Sequence, residues 1–164
     1  MHNDLLVALC LAVYAKQENC PMKKSLIIIF LALTAVAYSQ KETNTSKGYA
    51  LEGFDVVAYF GSEAIKGKKE HTASYNETSY KFSTAENAEK FKNDPQKFIP
   101  QYGGWCAYAM AAKGKKVEVD PETFEIRDGK LYVFYNSWGN NALSKWVKDH
   151  VKYRKKADAN WAKI

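Results

Sequence analysis

The sequence predicts a small single α+β domain: two antiparallel β-hairpins packed against short helices, with a helical C-terminus. Three observations predict it. An Asp128-Gly129 pair stands between the alternating runs 124–127 and 130–135, the strongest short-range hairpin pattern there is. Asn76-Glu77 stands between 70–75 and 78–82, two runs carrying Thr, Tyr and Phe. Capped helical segments follow each hairpin, and strands segregated from helices in this way suggest α+β.

The first 39 residues lie outside that domain. Met22-Lys23-Lys24 begins a positive region, 26–36 is almost wholly apolar, and Ala37-Tyr38-Ser39 is a small-x-small end. That is the layout of a signal peptide over 22–39, with cleavage expected after Ser39. Eleven apolar residues are too few to span a bilayer, which takes about twenty. The expectation is a periplasmic or secreted protein without a stable membrane anchor. Met22 makes a normal start, so 1–21 reads as a mis-called N-terminal extension. Cys10 and Cys20 belong to that discarded part.

Residues 40–164 hold enough chain for one domain with a core. They carry 21 basic and 16 acidic side chains, a net charge of +5. Much of the positive charge is C-terminal, from Lys145 to Lys163. An exported protein seldom meets nucleic acid, so no nucleic-acid partner is expected and the basic run reads as a solvated helix face. One cysteine remains, Cys106, and it has no internal disulfide partner. It is therefore buried, a metal ligand, or open to intermolecular pairing, which would make a homodimer.

Along the chain, 40–48 is polar and reads as a disordered lead-in to a domain over 49–164. Residues 49–60 are apolar and aromatic without a helical stripe, which suggests a loop and then a short strand. The first hairpin follows. Ser83 or Thr84 caps a helix to about Asn93, burying Ala85, Ala88 and Phe91. Asp94-Pro95 opens a helical turn through Phe98, and Pro100 ends it. After the second hairpin, Asn136 or Ser137 caps a helix through Trp138, Leu143, Trp146, Val147 and Val151. A last helical piece ends at Trp161.

Between the halves lies Gln101-Tyr102-Gly103-Gly104-Trp105-Cys106-Ala107-Tyr108-Ala109-Met110. Paired glycines allow a sharp turn or a close approach. The run from Trp105 favours helix, which puts Cys106 near a helix N-terminus, where the dipole favours a thiolate. Met110 lies four residues on, on the same face.

From about Leu51 to Trp161 the chain resembles the exported branch of the YHS-domain family. The residues that carry the resemblance are 53–60 (Gly-Phe-Asp-Val-Val-Ala-Tyr-Phe), 80–87 (Tyr-Lys-Phe-Ser-Thr-Ala-Glu-Asn), Phe91, Asp94-Pro95, 100–109 and the terminal 157–161. Such domains look like metal-handling modules, related to heavy-metal-sensing domains, and that function rests on cysteines. The metal-type pattern reads Phe-Cys-Ser-x-x-Cys where this chain has Phe82 to Asn87, so Ser83 and Asn87 stand at both cysteine positions. Val57 stands where a further cysteine tends to fall. The resemblance therefore implies the fold more than the metal chemistry.

Other residues would have to build a metal site. Cys106, Met110 and His71 offer thiolate, thioether and imidazole, a set that suits copper first and zinc second. His71 opens the first hairpin, expected to pack beside the organising helix. His150 sits among lysines and reads as solvated. The first functional expectation is a metal-binding module without catalytic turnover and without an organic cofactor. The second is a metal-free domain that binds a small ligand or a partner. A weaker third is a thiol enzyme, with Cys106 as nucleophile, His71 as base and Asp55 as orienter. Asp55 also suits a plainer role, capping a turn through its side chain.

Overall fold

The structure is a computed structural model and describes residues 42–164. These fall in one compact unit, Lys41–Ile164. The extension and signal peptide expected over 1–39 lie outside the described residues.

The fold is α+β. Strands β1 (Thr45–Ser46), β2 (Tyr49–Ala50), β3 (Lys68–Tyr75) and β4 (Thr78–Phe82) form a sheet in the order β1-β2-β4-β3. The β2–β4 contact is parallel and the others antiparallel. Helix α1 (Ala85–Asn93) and the short α2 (Pro95–Phe98) follow, then α3 (Ala107–Lys113). Strands β5 (Asp120–Arg127) and β6 (Lys130–Phe134) make the second large hairpin. A small hairpin, β7 (Asn136–Ser137) with β8 (Asn140–Asn141), leads into α4 (Ala142–Trp146). A 3-10 turn over Val147–Asp149 joins α4 to α5 (His150–Trp161).

Four two-residue turns close these hairpins: Lys47-Gly48, Asn76-Glu77, Asp128-Gly129 and Trp138-Gly139. Both central residues of each have positive φ, from +46° at Asn76 to +82° at Gly48. That backbone matches the right-handed twist of the flanking strands.

Strand β6 divides the interior. Leu131 and Val133 point into one core, with Phe54, Phe82 and Phe91. Tyr132 and Phe134 point into another, with Cys106, Met110 and Trp146. Successive residues of a strand face opposite sides, so one five-residue strand buries a face in each core. The first hairpin is held to α1 by rings: Phe91 lies 4.6 Å from Tyr80 and 5.1 Å from Phe82 between centroids.

Several expectations need correction. Over 49–60 the order is strand and then turns, the reverse of the loop and short strand expected: β2 is Tyr49–Ala50 and no strand follows it there. Leu51, Glu52 and Gly53 all have positive φ, which turns the chain, and Ala58–Gly61 is a 3-10 turn. Residues from 42 onward are built into the domain rather than free. Asn44 is buried, its amide N–H donates to Gly103 O at 2.8 Å, and its side chain donates to Gly104 O at 3.1 Å. No helix begins at 136 or 137. The chain makes the β7–β8 hairpin there, and Asn141 is the cap, its side chain accepting from Ser144 N. Thr84 does cap α1, accepting from Asn87 N at 3.1 Å, but Ala85 faces solvent and only Ala88 and Phe91 are buried.

Candidate functional site

The sulfur pair is in the second core. Cys106 stands at the N-cap of α3 and Met110 one turn later, its N–H donating to Cys106 O at 2.9 Å. Both side chains are fully buried. Around them are Tyr102, Tyr132, Phe134 and Trp146. The glycines before them serve packing. Gly104, at φ +80°, would with a Cβ meet Leu51 at 3.1 Å and Pro100 at 3.3 Å. Gly103, at φ +62°, would meet Glu42 O at 3.0 Å and Trp161 at 3.2 Å. The close approach lets residues 42–44 lie across the turn, where Trp105 Nε1 also donates to Glu42 O.

His71 is elsewhere. It lies on β3, the edge strand of the four-stranded sheet, at the irregular stretch between Lys68 and Thr72. That hairpin packs on α1, as the rings of Tyr75 and Tyr80 against Phe91 show, and not beside α3 as expected. His71 belongs to neither buried cluster, while Cys106 and Met110 share one. Among the described residues no group of three or more His, Cys, Asp and Glu side chains is placed to hold a metal ion. His150 is partly exposed, with Nε2 3.5 Å from an Arg127 guanidinium nitrogen.

The densest polar arrangement lies in the first core, around Asp55. This residue is fully buried. Its Oδ1 accepts from Val57 N at 2.9 Å and Ala58 N at 3.2 Å, which folds the chain back and makes the 3-10 turn. Its Oδ2 accepts from Ser83 N at 2.8 Å, Ser83 Oγ at 2.7 Å and Asn87 Nδ2 at 2.8 Å. Asn87 Nδ2 also donates to Ser83 Oγ at 3.4 Å. One carboxylate thus ties the 55–58 turn to the end of β4 and the first turn of α1. The turn-capping role expected for Asp55 is present, and it is half of what the residue does.

The same segment is pinned from two further sides. Asp55 N donates to Ile65 O at 2.8 Å, and Gly67 N to Gly53 O at 2.9 Å. Tyr59 OH donates to Pro121 O at 2.8 Å, and its ring meets Phe124 edge-on at 4.7 Å. Burial, then the Asp120 and Asp55 carboxylates, raise the Tyr59 phenol well above its ordinary range.

The Val57 backbone N–H, the Ser83 hydroxyl and the Asn87 side-chain amide all donate to the Asp55 carboxylate. A carboxylate has about four acceptor sites, and five protein donors meet this one. Nothing is left over for a cation, and the hydroxyl and amide oxygens nearby are hard donors, unlike the thiolates that hold copper or zinc in soft sites. The residues here do not fit a soft metal. Nor do Asp55 and His71 form an orienting pair: the carboxylate bonds lead to Val57, Ala58, Ser83 and Asn87.

Sequence reasoning missed this cluster because its members lie 28 and 32 residues apart. One pattern could have pointed to it. Ser83 and Asn87 are polar residues four apart at a strand-to-helix junction, and a buried partner for them had to come from elsewhere. Comparison of the chain with protein-family models, with curated proteins and with solved structures finds no match.

Proposed function

We propose that this protein is an exported, non-catalytic binding module of the YHS type that works without a bound metal. The observation that carries the reading is the convergence of positions 57, 83 and 87 on Asp55. In this reading a hydrogen-bonded polar node holds together the elements that cysteines and a metal would otherwise join. The domain then offers its surface, not a reactive centre, to a ligand or partner.

A second reading rests on one observation: Cys106 and Met110 lie one turn apart in the same buried cluster. It makes the domain a copper-binding module, with Cu(I) held by the two sulfurs and by His71 if β3 rearranges. The test is metal analysis of protein purified reduced and without a histidine tag, followed by Cu(I) competition titration. An empty protein that ignores added Cu(I) is the result expected of the metal-free module. Stoichiometric copper, lost in Cys106→Ser and weakened in Met110→Leu, would overturn it in favour of the copper module.

A further inference from the structure

The C-terminal segment differs chemically from the rest of the domain. Residues 40–135 carry 14 basic and 14 acidic side chains, and residues 136–164 carry seven basic and two acidic. The net charge of +5 over residues 40–164 therefore sits in 136–164. The same segment holds apolar side chains that the fold leaves outside. Trp138 is 99% exposed, Val151 60% and Val147 48%. Val147 lies in the 3-10 turn before α5 and Val151 in the first turn of α5, with the Asp149 cap between them. Lys148, Lys152, Lys155 and Lys156 are exposed around them. The one acidic side chain among these, Asp149, caps α5 by accepting from Lys152 N at 3.2 Å.

Scattered exposed valines need no explanation, but Trp138 does. It leads the β7–β8 turn at φ +50°, with Gly139 at +73°. A turn of this kind favours Asn or Asp at that position, and a bulky side chain there is an outlier. The indole makes no packing contact that would offset the strain, being almost wholly in solvent. Lys145 reaches from α4 to the Asn140 side chain, so an ammonium group stands beside the turn.

Indole rings favour the headgroup level of a bilayer, and lysines near the surface are drawn to anionic lipid. We propose that residues 136–156 are the surface by which this domain docks on an anionic lipid bilayer. The Trp138 ring enters the headgroup region, and Lys145, Lys148, Lys152 and Lys155 face the anionic headgroups. The charge calls for an anionic partner. The exposed Trp138 favours lipid over nucleic acid, whose phosphate backbone rewards lysines alone. Docking of this kind is independent of whether the domain holds a metal.

The test pellets full-length protein with vesicles of phosphatidylglycerol mixed into phosphatidylcholine, and with vesicles of phosphatidylcholine alone. Two variants accompany it. Trp138→Asn puts a favoured residue into the turn, so it keeps the fold and its Tm should hold or rise. The double variant Lys148→Glu/Lys152→Glu reverses charge at two exposed positions of the segment. The apolar run 26–36 is common to all three proteins and cancels in the comparison. Wild type should prefer anionic vesicles and be released by salt. Trp138→Asn should weaken that binding by about fivefold or more, and the charge reversal by about tenfold or more. Equal binding of anionic vesicles by all three proteins would overturn the proposal, as would indifference of the wild type to both vesicle types. A DNA oligonucleotide retained where vesicles are not would assign the patch to nucleic acid and overturn it too.

Discussion

The two cores on either side of β6 hold their chemistry in opposite ways. In the first, a fully buried carboxylate accepts five hydrogen bonds from three separate segments. In the second, a thiol and a thioether, the side chains with the more suggestive chemistry, sit among tyrosine, phenylalanine and tryptophan rings. A buried polar group costs free energy unless it is bonded, so Asp55 constrains its surroundings strongly. A buried Cys or Met behaves much like any apolar side chain and constrains little. Residue type alone is thus a poor guide to where a fold concentrates its chemistry; converging donors are a better one.

Breaking the first core at its node should have the largest effect. Asp55→Asn keeps the shape but turns an N–H pair toward other donors, at Val57 and Ala58 or at Ser83 and Asn87. The expected loss is about 2–4 kcal/mol of unfolding free energy, since bonds to a charged group are worth more than neutral ones and the donors are left unpaired. Chemical denaturation of the variant reads this directly. A Tm lower by on the order of 10 °C should accompany it.

The second core should respond less. Cys106→Ser places a hydroxyl in an apolar site and should cost about 1–3 kcal/mol, with Cu(I) titration unchanged from wild type. Thermal melts and titrations on the same samples separate the two properties. Loss of copper affinity without loss of Tm would break the comparison, because the sulfurs would then be the working site.

The smallest effect appears only in alkali. Burial, and then neighbouring Tyr75, push Tyr80 up to about 12 from an ordinary value of 10.0. Above pH 10 the unfolded chain gives up a proton that the folded chain still holds, so the stability Tyr80 contributes is complete below that pH and is lost as the pH rises to about 12. Burial raises Tyr59 in the first core and Tyr102 in the second in the same direction. Unfolding free energy measured across this window should fall, and Tyr80→Phe should make the fall shallower.

What the sequence made legible follows from local chemistry. The Asp128-Gly129 hairpin, the Thr84 cap, the helical turn at Pro95 and a helix start near Cys106 each rest on residues within a few positions of one another. The failures came where distant contacts decide the conformation. Residues 54–60 look like a strand by composition, yet the Asp55 side chain bonds forward to Val57 and Ala58 and outward to Ser83 and Asn87. Lys47-Gly48 and Trp138-Gly139 escaped notice because Lys and Trp are poor residues for left-handed backbone. His71 reads as a partner for Cys106 only if the first hairpin packs beside α3; the hairpin packs on α1 instead, and the β3 edge does not bring the imidazole to the sulfurs.

A double-mutant cycle between Asp55 and Asn87 tests the central claim most directly. Unfolding free energies are measured for wild type, Asp55→Asn, Asn87→Ala and the double variant. If the Nδ2–Oδ2 bond at 2.8 Å is part of a node that joins α1 to the 55–58 turn, the two changes should couple by about 1–2 kcal/mol, the double variant losing less than the two single losses together. Losses that add to within about 0.5 kcal/mol would contradict the account, because the two residues would then act on the fold independently.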